Sequence, residues 1–140
     1  MPGWVAKRIE DVPLVPEREL SDPDWYPLQH HFGLTAFGAN VFVGREPGQE
    51  LVGEHDERAS GQQELYLVLA GEAEFTLDGD TVPASEGTVV AVTDPAVTRR
   101  AAAVVAGTAV LAVGASPTEP FVSTFSIVQA PPLKPFLSWF

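Results

Sequence analysis

The chain contains no cysteine. That excludes disulfides, thiolate metal sites and cysteine nucleophiles, and it suits a reducing, cytoplasmic setting. Positive charge is scarce. Eight Lys and Arg, of which only Lys7 and Lys134 are lysines, face 19 Asp and Glu, for a formal net charge of −11. An acidic surface repels a phosphate backbone on average, so nucleic acid is not an expected partner. Ordinary solubility accounts for the charge. Long apolar runs are missing as well. The longest, residues 101–115, is broken at Gly107 and Thr108, and a membrane helix needs ~20 apolar residues. The opening MPGWVAKRIE has no apolar stretch of the secretory type. No membrane association is expected, and the expected location is cytoplasmic. Neither a Gly-rich phosphate loop nor a Gly-x-Ser-x-Gly elbow occurs.

What is present points to β-structure. The chain has 140 residues, 45% of them apolar, enough for one domain with one core. Its 12 Gly and 13 Pro punctuate it densely, which suits short strands joined by turns. Pro13, Pro16, Pro23 and Pro27 forbid a long helix in residues 1–32. That segment reads as an irregular arm, with Trp25 and Tyr26 anchoring it. Strands are expected at 37–43, 64–70, 72–77, 81–83, 88–92, 97–103 and 108–113. The stretch 64–70 is apolar nearly throughout and reads as buried on both faces. Residues 72–77 alternate, with Ala73, Phe75 and Leu77 on one face, and Asp78-Gly79 is a hairpin signal. The spacing predicts an antiparallel sandwich or barrel. Residues 116–140 form a Pro-rich tail carrying Phe121, Phe125, Phe136, Trp139 and Phe140. Such a tail is expected to pack on the barrel or on a second subunit.

Glu64, six residues and Gly71 lead into "GEAEFTLDGD"; further on, Gly87 and five residues lead into "TDPAVT". Residues 48–113 thereby resemble the cupin family, in particular small single-domain bacterial members of mostly undefined function. The resemblance implies an all-β, antiparallel jelly-roll barrel, here spanning residues 33–115 between the arm and the tail. Metal-binding cupins use three His and one Glu, a set that suits Fe, Mn, Ni or Zn. By resemblance, His55 stands for the first His, Glu57 for the second and Glu64 for the Glu. Thr98 stands where the last His would be. Six residues, 58–63, separate Glu57 from Glu64, where the family has three or four, so this loop is an insertion or the register differs. His55, Glu57 and Glu64 are the candidate, incomplete metal set. His30 or His31 is a conceivable source of another imidazole.

Other readings stand beside the metal. Glu64 shares strand parity with Tyr66, and a carboxylate in apolar surroundings is a competent acid or base. Glu64, His55 and Tyr66 are the candidate catalytic residues. Thr98, Arg99, Arg100 and Phe75 are candidate ligand contacts, and an inward Arg would replace the metal electrostatically beside Glu64. The first functional expectation is a cupin that binds a small organic ligand in its barrel, as a homodimer. A second is an enzyme, either a metal-dependent oxygenase or isomerase, or a cofactor-free acid–base isomerase or cyclase. A third is a structural dimer without ligand.

Overall fold

The computed structural model describes residues 2–16 and 19–118. The expected packing of the tail beyond Thr118 lies outside the described residues. Among the described residues nine strands form, in chain order: β1 (Asp24–Tyr26), β2 (Gly38–Val43), β3 (Glu50–His55), β4 (Gln63–Ala70), β5 (Glu72–Leu77), β6 (Asp80–Ser85), β7 (Val89–Val92), β8 (Arg99–Ala103) and β9 (Ala109–Ala115). One five-residue helix, α1 (Leu28–Phe32), follows β1. The strands make two antiparallel sheets, ordered β1-β2-β9-β4-β7 and β3-β8-β5-β6. The fold is all-β and antiparallel, as the strand spacing predicts, and jelly-roll-like, as the resemblance implies.

Alternation places the core between the sheets, since successive side chains leave a strand on opposite faces. Tyr66 and Val68 of β4, Val90 and Val92 of β7 and Val110 and Ala112 of β9 line one inner face. Ala73 and Phe75 of β5 and Ala101 and Ala103 of β8 line the other. Small side chains on β8 leave room for large ones: Ala101 pairs with Phe75, whose ring lies 5.5 Å from that of Tyr66. The β5–β6 turn is made by Asp78 at φ 49° and Gly79 at φ 86°, the left-handed pair that a two-residue hairpin demands.

Three expectations need correction. The arm is not wholly irregular, because β1 pairs with β2 and becomes the fifth strand of its sheet. Residues 50–55, unassigned from sequence, form β3; their polar outward side chains hide the alternation. Strand β4 is not buried on both faces, for Leu65 is 41% exposed while Tyr66 is 1% exposed. Its apolar outer residues belong to an antiparallel sheet face, which can meet water.

Candidate functional site

The rim of the barrel gathers residues from β3, β4, β8 and the turn after β3. Glu64 enters on the inner face of β4, two residues before Tyr66, as strand parity requires. His55 closes β3, and Arg99 opens β8 as its register partner. Glu57 sits just past β3. Its N–H donates to Pro95 O at 2.8 Å, and its carbonyl accepts from Gly61 N–H at 2.7 Å. Residues 58–61 form a turn between β3 and β4, and Gln63 already belongs to β4. Gly61, at φ 70°, supplies the left-handed residue of this turn.

Arg99 is fully buried. Its Nη1 donates to Glu64 Oε1 at 2.7 Å, while Nε and Nη2 reach Val97 O at 3.1 and 2.9 Å. Nη2 also lies 3.4 Å from Pro95 O. A buried charge needs a partner and satisfied donors, and this one has both. Tyr66 donates its hydroxyl to the same Glu64 oxygen at 2.9 Å. Burial first, then the Glu64 carboxylate, push the Tyr66 phenol well above the ordinary tyrosine range. Tyr66 is thus a neutral hydrogen-bond donor that positions Glu64.

His55 is fixed by its other nitrogen. Nδ1 lies 2.7 Å from Gly53 O; a carbonyl only accepts, so Nδ1 carries the proton. In the neutral ring, Nε2 then offers a lone pair. It faces Glu57 Oε1 at 3.1 Å and Glu64 Oε1 at 3.5 Å. Ser60 Oγ donates to the other Glu57 oxygen at 2.5 Å. Three acceptor atoms converge, so the space between them favours a proton or a cation.

The other expected site residues fall elsewhere. Arg100, on the opposite face of β8 from Arg99, pairs with Glu50 at 2.7 Å on the outer side of the barrel. Thr98 exchanges backbone bonds with Asp78, its N–H reaching Asp78 Oδ1 and its carbonyl accepting from Asp78 N–H, both at 2.8 Å. The inward position is held by Arg99 instead. Phe75 is 1% exposed and supports Tyr66 from below, so it does not reach a ligand at the rim. Tyr66 is equally covered and donates its hydroxyl to Glu64. His30 and His31 lie in α1, which packs against β2. His31 Nε2 is 2.9 Å from Lys7 Nζ, and neither imidazole joins the cluster. Sequence reasoning missed the orienting groups Gly53 O, Ser60 and the Pro95 and Val97 carbonyls. A backbone carbonyl carries no residue-type signature. It also missed Gly114, which lies opposite Glu64.

Could the cluster hold the metal that the resemblance implies? The ligand atoms of His55, Glu57 and Glu64 lie within 4.8 Å of one another, close enough for a site. One imidazole with two carboxylates is also a chemically reasonable donor set. The Arg99 guanidinium argues the other way. It bonds the same Glu64 oxygen that faces His55, and a dication there would meet this fixed positive charge at short range. With no donor at Thr98, the residues do not fit a tight transition-metal centre.

No family model matches the chain, and no curated protein matches it. Solved structures do. A putative sugar phosphate isomerase from Acidithiobacillus ferrooxidans is 22% identical with a TM-score of 0.55, covering 66% of this chain and 58% of its own. A sugar phosphate isomerase from a cupin superfamily, from Silicibacter pomeroyi, is 20% identical with a TM-score of 0.58, covering 68% and 60%. A cupin protein from Bacteroides fragilis is 14% identical with a TM-score of 0.61, covering 85% of this chain and 97% of its own. The chain thus spans less than two thirds of the two isomerase structures. At these identities the likeness is one of fold.

Proposed function

We propose that this cupin-fold chain binds a small, uncharged hydroxylated molecule at its barrel rim and moves a proton on it without using a metal. The observation that carries this reading is the fully buried Arg99 bonded to Glu64 at 2.7 Å. It supplies from inside the positive charge that a metal would otherwise bring. The barrel below Glu64 is filled by Tyr66, Phe75 and Arg99, so a ligand meets the rim, where His55 is 37% exposed.

Each group has a role in this reading. His55 Nε2, in the neutral ring whose Nδ1–H is held by Gly53 O, is the general base. The imidazolium it forms is flanked by Glu57 and Glu64, which stabilise the charge. Glu64 Oε2 has no protein partner among the described residues and accepts a hydrogen bond from a ligand hydroxyl. A proton taken from a hydroxyl-bearing carbon next to a carbonyl and returned to the carbonyl carbon, with the hydroxyl proton passed by way of Glu64 Oε2 to the carbonyl oxygen, is an isomerisation. The same base acting on one carbon is an epimerisation. The two sugar phosphate isomerase structures lend a carbohydrate to this reading. A phosphate group is less suited to a rim bearing two carboxylates.

The test is solvent-deuterium uptake into unphosphorylated aldoses and ketoses, followed by proton NMR, on protein purified without an affinity tag. Uptake by the wild type that is lost in His55→Gln supports the reading. Elemental mass spectrometry on the same sample provides the opposing result. Near one equivalent of Fe, Mn, Ni or Zn, lost in His55→Ala/Glu64→Gln, would replace the proton-transfer site with a metal centre.

A further inference from the structure

The outer face of the five-stranded sheet is apolar across its width. Register brings together Ala39 and Val41 of β2, Leu111 and Val113 of β9, Leu65 and Leu67 of β4, and Val89 and Ala91 of β7. The arm roofs only the β2 side, where Val41 is 1% exposed and Val12 of the arm is 2% exposed. Over β4 and β7 the face is more open among the described residues: Leu65 is 41% and Val89 52% exposed. Strand β7 is also an edge strand. An apolar sheet face beside an open edge is an aggregation hazard unless it is covered.

We propose that the carboxy-terminal segment, residues 119–140, covers this half of the face in its own chain. Three observations favour that occupant. The segment begins at the right place. Strand β9 ends at Ala115, the register partner of Gln63, beside the end of the face that holds Leu65 and Val113, and Ser116 Oγ is tied to Ser60 O at 2.7 Å. It is long enough. Its 22 residues reach up to about 3.3 Å each, whereas the span from β9 to β7 is two strand spacings of about 4.8 Å. It also has matching chemistry. Glu119 and Lys134 are its only charged residues, and Phe121, Phe125, Phe136, Trp139 and Phe140 lie along it. Pro131, Pro132 and Pro135 suit a segment laid across a sheet face, where side chains and not ladder hydrogen bonds make the contact.

The absence of cysteine makes the test direct. A nitroxide attached to Ser138→Cys in the full chain is the unique label. Methyl signals of Leu65, Val89 and Val113 are expected to lose most of their intensity when the label and the carbon-13 methyls share one chain. They are expected to keep it when labelled unenriched chains are mixed with enriched unlabelled ones. Broadening in the mixed sample would overturn the proposal in favour of a second copy as the occupant. Intact methyl signals in both samples would overturn it outright. Val89→Asp, at an exposed position of β7, provides the second variant. It should restore the Leu65 and Val113 signals while the signals of the buried Val68 and Val110 stay in place, and failure to restore them counts against docking on this face.

Discussion

Arg99 is the residue on which the stability of the rim turns. Removing one member of a buried ion pair leaves the other charge without its partner, so Arg99→Met should cost about 3–5 kcal/mol. The urea midpoint should fall with little change in slope. Arg99→Met/Glu64→Leu should recover most of that loss, because it removes the stranded carboxylate too. Tyr66 gives a separate signature. Its folded-state phenol holds its proton above the unfolded value of 10.0. The associated stability is fully present below that pH. It is lost above it, as the unfolded chain ionises and the folded one does not. Wild-type stability should therefore fall by roughly 1.4 kcal/mol per pH unit more steeply than that of Tyr66→Phe above about pH 10. Denaturant titrations of both proteins at a few alkaline pH values measure the difference. Equal slopes would mean that Tyr66 is not held neutral by its surroundings.

Strand pairing sets how closely elements can approach the site. Gly114 of β9 lies opposite Glu64, and a Cβ there would stand 3.0 Å from Glu64 Cγ, 3.0 Å from Gln62 Oε1 and 3.3 Å from Gln63 O. A Cβ there fits only if these neighbours give by a few tenths of an ångström. Gly114→Ala should push the Glu64 side chain away from Arg99 and cost about 1–3 kcal/mol through overpacking. In the proposed proton transfer a displaced carboxylate would misplace the groups involved, so deuterium uptake should fall roughly 10- to 100-fold. An unchanged rate in a stable Gly114→Ala protein would remove Glu64 from the reaction.

Across the whole molecule, the arm is joined to the barrel by the β1–β2 ladder and, at one corner, by side chains. Arg45 pairs with Asp24 at 2.7 Å and donates to the Leu20 and Asp22 carbonyls, each at 2.7 Å. Gln49, 8% exposed, donates to Asp22 O at 2.9 Å and accepts from Arg45 N–H at 2.6 Å. These bonds hold one wall of a cleft of about 670 Å³ between residues 21–25 and the start of β3. In Arg45→Ala/Gln49→Ala, amides of residues 19–26 should exchange with deuterium markedly faster. Those of β4 and β9 should keep their protection, because their ladders do not involve the arm. Uniform loss of protection would show that the arm is part of the barrel's cooperative unit. Among the described residues no helix is long and apolar enough to cross a membrane.

Local pattern sufficed for most of the architecture. Alternation in 72–77, the Asp78-Gly79 turn and evenly spaced apolar runs specify an antiparallel sandwich or barrel, because period-two burial and left-handed turn residues are written into residue types; the jelly roll comes from the family resemblance. The inward parity of Glu64 with Tyr66 follows from the same rule. The strand 50–55 was hidden because its outward positions are polar and its register with β8 is irregular. The site's decisive contact was not legible either. Whether Thr98, Arg99 or Arg100 turns inward depends on how β8 is registered against β3 and β5, which pair across 44 and 22 residues of sequence at His55–Arg99 and Leu77–Arg99. Only that tertiary register buries one arginine against Glu64 and sends its neighbour to Glu50 on the outside. It alone turns three potential metal ligands into a cluster that already contains its own cation.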